Sequence, residues 1–130
     1  MAMERFGFED LRIWQESIAF AEEVFKLIDH FPPYDRLAQQ TFGAVSSISQ
    51  NIAEGNGRHY WKENLQFLYY ARGSLYETIT LLEILTRRKS ITPEHCLTLK
   101  SKALVLAKQL NAYISYVKGL QHAMKGSQKK

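Results

Sequence analysis

A chain of 130 residues, 45% of them hydrophobic, has room for one domain with one sizeable core. It contains no run of about 18 apolar residues, which excludes a membrane-spanning helix, and Cys96 is its only cysteine, which excludes an intrachain disulfide and any cysteine-rich metal site. The net charge of +4 is unevenly spread: residues 1–35 hold eight acids and three bases, whereas residues 86–130 hold ten bases and one acid. That asymmetry fits a polyanion partner or electrostatic packing between subunits, or else a solvated lysine face with a disordered tail.

The first element is expected over about residues 9–30. Leu11, Trp14, Ile18, Ala21, Phe25 and Ile28 recur at helical spacing and mark one face. Phe20, Val24, Leu27 and Phe31 form a second row that widens it. Glu9 and Asp10 fall in the first turn, where the helix dipole favours anions. Pro32-Pro33 stops the helix.

A second helix is expected over about 35–56, with Asp35 as N-cap and Gly55 and Gly57 as stop signals. Leu37, Thr41, Ala44, Val45, Ile48 and Ile52 make a narrow apolar row. The third helix, about 60–88, is apolar on several sides. Leu65, Leu68, Ala71, Leu75, Ile79 and Leu82 mark one face, while Phe67, Tyr69, Tyr70, Tyr76, Leu81, Ile84 and Leu85 spread over others. Such a helix should be buried on more than one side, most simply against another copy of the chain.

The fourth helix, about 93–122, opens on Thr92-Pro93-Glu94, an N-cap followed by Pro at the first helical position. Cys96, Leu99, Ala103, Leu106, Leu110, Tyr113, Val117 and Leu120 then follow in a sustained heptad pattern. Residues 124–130 are expected to form a flexible tail. Short connections make sequential helices antiparallel neighbours, giving an all-α, up-down-up-down four-helix bundle in a single domain, 1–130.

Two segments carry Gly and polar residues where a plain bundle would place Leu and Ala. They are Ser47 to Arg58 and Phe67 to Glu77. If the connecting turn centres near Arg58, Gly43 lies opposite Gly73, and Ser47 lies within about a turn of Ser74. Gly43, Ser47, Gly73 and Ser74 then serve close helix packing. Asn51, Glu54, Arg58, Arg72 and Glu77 have two readings. They form a structural polar network that fixes register, or Arg58 and Arg72 face outward and bind phosphate.

Catalysis has little support. His30, His59, His95 and His122 are isolated, no Glu-x-x-His pair exists, and Gly55-Asn56-Gly57 lacks the context of a phosphate loop. Cys96 occupies a predicted core position. The chain is therefore expected to be non-enzymatic, without catalytic residues, metal or cofactor. Nucleic-acid binding fares better. Lys100, Lys118 and Lys125 project along one stripe of the fourth helix with Lys108 beside it, and Arg87-Arg88-Lys89 adds charge at the adjoining turn. Such a stripe can follow a phosphate backbone through counterion release. No helix-turn-helix or zinc-finger pattern indicates sequence-specific readout.

The chain resembles the bacterial four-helix bundle proteins encoded by intervening sequences within 23S ribosomal RNA genes. The resemblance runs from Phe8-Glu9-Asp10-Leu11 with Trp14-Gln15 into the fourth helix. Its specific parts are Asn51-Ile52-Ala53-Glu54-Gly55 with Gly57-Arg58, then Lys62-Glu63, Phe67-Leu68 and Ala71-Arg72-Gly73-Ser74-Leu75 with Glu77 and Thr80. The family often has Pro at the position of Ser49, Ser or Thr at Tyr60, an aromatic at Asn64 and Glu at Ile79. Here Tyr60 removes an expected N-cap and Asn64 an apolar contact. The resemblance implies a ring-like homopentamer. The broader group is also similar to accessory proteins of diversity-generating retroelements, which form basic pentameric barrels that bind nucleic acid and associate with a reverse transcriptase.

The resulting expectation is a cytoplasmic homo-oligomer that binds RNA or DNA through basic surface, with no membrane partner. The opening Met1-Ala2-Met3-Glu4-Arg5 lacks a secretory signal pattern. Arg87, Arg88, Lys89, Lys100, Lys108 and Lys118 are the first candidates for contact, with Arg58 and Arg72 second. The rival expectation is a scaffold that docks a protein such as a reverse transcriptase, its charge serving subunit assembly.

Overall fold

The computed structural model describes residues 4–123 and 129–130. Expectations for Met124 to Gln128, including Lys125 of the basic stripe, lie outside the described residues. Four α-helices account for most of the rest: α1 (Arg12–Ile28), α2 (Arg36–Asn56), α3 (Trp61–Arg87) and α4 (Pro93–Ala123).

The first helix starts later than its periodicity predicts. Gly7–Asp10 form a separate 3₁₀ turn, and Leu11 is extended between that turn and α1. The Glu9 carboxylate accepts the Phe6 N–H at 2.8 Å, and the Gln15 amide donates to the Glu9 carbonyl at 2.7 Å. Glu9 and Asp10 thus belong to this turn and not to the first turn of α1. The other starts follow the expected capping. Asp35 accepts the Ala38 N–H at 3.0 Å, and Thr92 Oγ1 accepts the His95 N–H at 3.1 Å. Tyr60 stands at the N-cap of α3 with no side-chain bond to the helix, as its aromatic ring predicts.

Helix α1 packs on α2 and α4, and α3 packs on the same two. Val24, Val45, Ile48, Ile52, Leu68, Leu75, Leu82, Leu85, Leu110 and Val117 are all but inaccessible at the centre. Burying each such side chain contributes about 1.5–3 kcal/mol. In α1 the buried seam is Ile13, Phe20, Ala21, Val24 and Ile28, so the row that begins at Leu11 is mostly its half-buried flank. Trp14 and Phe25 lie at the edges, against Phe8 and Phe42, with ring centroids 5.2 and 4.9 Å apart.

Helix α3 closes with Lys89 at φ 66°, in the left-handed region where glycine is usual. Ser90 N–H donates to Leu85 O and Lys89 N–H to Thr86 O, both at 2.9 Å, which satisfies two terminal carbonyls. The apolar excess of α3 stays partly uncovered. Tyr70, Tyr76 and Ile84 are exposed, as are Leu97 and Leu104 of α4.

The α2–α3 register differs from a turn centred on Arg58. Ser47 Oγ meets Ser74 Oγ at 2.8 Å, while Gly43 and Gly73 are exposed with nothing within 4 Å of where a Cβ would sit. The expected role of Gly43 and Gly73 in close packing is therefore corrected. That role falls to Gly55, where a Cβ would lie 2.9 Å from the Asn64 amide and 2.9 Å from Phe67 Cβ. Gly55 beside Asn64 and Ser47 beside Ser74 both place the centre of the pairing about two residues beyond Arg58.

Candidate nucleic-acid interface

The basic candidates divide by whether a carboxylate already neutralises them. Arg87 Nε lies 3.0 Å from Glu83 on its own helix, and Arg88 Nη2 lies 2.7 Å from Asp35. The same guanidinium also donates to Ser90 Oγ at 2.6 Å. Arg58 Nη2 lies 2.7 Å from Glu54, with Glu63 at 4.0 Å and the Phe67 ring beneath it. Lys102, outside the candidate set, meets Glu23 at 3.5 Å. Among the described residues, Arg72, Lys89, Lys100, Lys108 and Lys118 form no salt bridge.

Two of these five converge. Arg72 of α3 and Lys118 of α4 both lie over the half-buried ring of Tyr69, at 5.2 and 5.7 Å from its centroid. The Arg72 guanidinium is steadied by Asn111 Oδ1 at 3.0 Å, a neutral acceptor that orients the group and leaves its charge unbalanced. Two cations beside one aromatic ring are each attracted to it and repel one another. An anion brought to the cluster relieves the repulsion. Beyond the bond to Asn111 the guanidinium has further N–H donors, in the planar fork that matches phosphate.

Lys100 continues the same side of α4. With Ile79, Thr80, Leu104 and Ala107 it lines an open groove between α3 and α4. At 1.5 Å per residue, Lys100 and Lys118 are separated by about 27 Å along the helix. Lys108 is exposed on the same helix, and Lys89 is exposed at the turn before it. The unneutralised charge therefore belongs mainly to α4 and Arg72. Arg87, Arg88 and Arg58, chosen from sequence, are committed to internal pairs.

The expected single network of Asn51, Glu54, Arg58, Arg72 and Glu77 is not formed. It splits into three. Arg58 and Glu54 close the end of α2, Asn51 Nδ2 donates to Ser47 O and Ser47 Oγ at 2.8 Å each, and Arg72 turns to α4. Glu77 is exposed and joins none of the three. The reason is separation along the fold. Arg58 lies in the turn between α2 and α3, whereas Arg72 lies about three turns into α3.

Sequence reasoning missed two features. Tyr69 was read only as surplus apolar surface, although Tyr69-x-x-Arg72 at helical i, i+3 spacing was a visible signal for the stack. Lys129 and Lys130 were assigned to a flexible tail. Instead Lys129 forms a bridge with Tyr60, and the Lys130 side chain reaches the end of α2. Among the described residues, no group of three or more His, Cys, Asp or Glu side chains is placed to hold a metal ion. Cys96 is buried in the core. No described helix is long and apolar enough to cross a membrane.

A family model described as 23S rRNA-intervening sequence protein matches residues 9–112. The fold is similar to a crystal structure from Bacteroides thetaiotaomicron, of a protein with unknown function from the S23 ribosomal protein family. The two share 23% sequence identity and a TM-score of 0.75, over 79% of this chain and 95% of the other. No curated protein matches the chain.

Proposed function

The chain belongs to the 23S rRNA-intervening sequence protein family, and from that premise we propose that it is a non-enzymatic, cytoplasmic protein that binds RNA or DNA electrostatically, with little sequence preference. The observation that carries this reading is the Arg72–Tyr69–Lys118 cluster, two cations on one ring with no carboxylate among the described residues to neutralise them. Lys100, Lys108 and Lys89 extend the field, and Asn111 fixes the guanidinium. Phosphate contacts of this type set position on a nucleic acid without reading bases.

The reading includes an up-down-up-down bundle that assembles as a ring-like homopentamer, related to the accessory proteins of diversity-generating retroelements. Contacts of Ser47 with Ser74 and of Asp35 with Arg88 support the antiparallel course of α2 and α3. The exposed row of Tyr76, Ile84, Leu97 and Leu104 supports a second protein surface on α3 and α4. A ring repeats a modest basic patch and raises avidity without new contacts.

That same row favours a second reading, a scaffold whose α3–α4 surface docks a protein such as a reverse transcriptase. Binding of labelled structured RNA and duplex DNA across a salt series, on protein of known oligomeric mass, separates the two. Affinity that falls steeply with salt supports the first reading. No binding at low salt sinks it and favours the scaffold.

A further inference from the structure

At the end of α2, opposite in kind to the α3–α4 surface, two carbonyl oxygens and one side-chain amide converge on one nitrogen. Lys130 Nζ lies 3.1 Å from Gly55 O and 2.8 Å from Asn56 O. Turned so that each of its polar atoms meets a partner, the Asn64 amide sets its oxygen 2.9 Å from the same nitrogen and its Nδ2 3.2 Å from Gly55 O; the opposite orientation sets an N–H donor against the ammonium. The Trp61 ring lies beneath, its centroid 5.1 Å from Nζ. Backbone contacts hold the approach: Lys130 N–H donates to His59 O at 3.1 Å, and Lys129 bridges Tyr60.

Each part of this arrangement matches one ligand chemistry. A lysine ammonium has three N–H donors and no acceptor, and the site offers three acceptors and an aromatic face. Gly55 O and Asn56 O belong to the last turn of α2 and carry the negative end of the dipole, and Gly55 O also accepts the Arg58 N–H at 3.1 Å. Asn64 is only 1% exposed, and a buried amide oxygen needs a donor. Gly55 lets Asn64 approach this closely, since any Cβ there would strike the amide.

We propose that the α2 terminus carries a built receptor for an unmodified lysine ammonium, and that the chain's own Lys130 occupies it. The site selects the point charge of lysine. A planar guanidinium cannot direct donors to three converging oxygens. Acetylation of Nζ removes the charge and leaves a single donor. Occupancy fastens residues 129–130 to the α2–α3 turn, supplying contacts that the uncapped Tyr60 does not.

The test uses the full chain labelled with ¹⁵N-lysine, with Trp14→Phe so that emission reports Trp61 alone. The expected result is one ammonium signal whose hydrogens exchange about tenfold more slowly than those of Lys129, assigned to Lys130 by its loss in Lys130→Met. Trp61 emission should shift in both Lys130→Met and Lys130→Arg, and Asn64→Leu should release the slow signal. Should Asn64→Leu fail to fold, the two Lys130 variants decide. The proposal is overturned if the Lys130 ammonium exchanges like that of Lys129, if Lys130→Arg leaves Trp61 unchanged, or if the slow signal vanishes on dilution, which would make the bound lysine another copy's.

Discussion

Arg88, just past the end of α3, places its guanidinium 2.7 Å from the carboxylate of Asp35, the cap of α2. One carboxylate thereby starts one helix and receives the cation that closes the next, 53 residues on. Arg88 also lies over the Phe31 ring. Arg88→Met should lower the thermal midpoint and leave nucleic-acid affinity almost unchanged. Asp35→Ala should cost more, since it removes the cap and the ion pair together. Calorimetry beside a binding titration checks both. A large affinity loss in Arg88→Met at intact stability would return this residue to the interface.

The same pair sets an acid limb. The hydrogen bond from Arg88 is the largest cause holding the Asp35 carboxyl below its ordinary value of 3.8, with the Ala38 N–H second. A carboxylate depressed on folding contributes stability that is fully present above the ordinary value. That contribution is lost as pH falls through the depressed one. Arg88→Met should therefore shift the onset of acid unfolding to higher pH, and Asp35→Asn should flatten that limb. Urea midpoints across about pH 2–5 read both.

Lys89 adopts a left-handed conformation that costs a residue with a Cβ about 1–2 kcal/mol. Lys89→Gly should raise stability by about 1 kcal/mol, because the bonds from Ser90 and Lys89 to the end of α3 need only the backbone. Denaturant unfolding measures it. A fall in stability would mean that the Lys89 side chain contributes more than its backbone strain costs.

Glycines separate by position. Gly55→Ala must push a Cβ into Asn64 and Phe67 and should cost about 1–3 kcal/mol. Gly73→Ala and Gly43→Ala, in open helix interiors, should each gain about 0.5–1 kcal/mol. Loss of stability in the latter two would indicate that another copy packs on them.

Local chemistry made much of this legible. Asp35 and Thr92-Pro93 announce their helices because capping depends on neighbours three residues away. The α4 seam is regular enough to read from Cys96 to Leu110 and at Val117, but between them Ile114 is buried where the heptad pattern points to Tyr113, which is half-buried. What failed was long-range. The phase of α1 was anchored on Leu11, which lies outside the helix, so large edge residues such as Trp14 were taken for the seam. Arg88 looks available because nothing near it in sequence reveals Asp35, whereas the partner of Arg87, Glu83, lies only four residues away. Asn64 was read as a lost apolar contact, yet it is buried with a lysine 66 positions away as its partner. Charge can be counted in a sequence, but whether it is spent inside the fold depends on pairing that, for Arg88 and Asp35, crosses helices.

That distinction gives the decisive test of the interface. If the cluster on Tyr69 binds phosphate, Arg72→Ala and Lys118→Ala should each weaken RNA and DNA binding uniformly across sequences, and each should reduce the salt slope by about one. Lys100→Ala and Lys108→Ala should behave similarly with smaller losses, since neither is stacked. Tyr69→Leu keeps both charges but removes the ring, so affinity should fall while the slope holds. Asn111→Leu frees the guanidinium without changing charge and should follow Tyr69→Leu. Arg87→Ala and Arg58→Ala break internal pairs and should leave the slope where it was. Variants of unchanged oligomeric mass, titrated at several salt concentrations, supply the comparison. Equal losses from paired and unpaired residues would overturn this division and leave only a diffuse field.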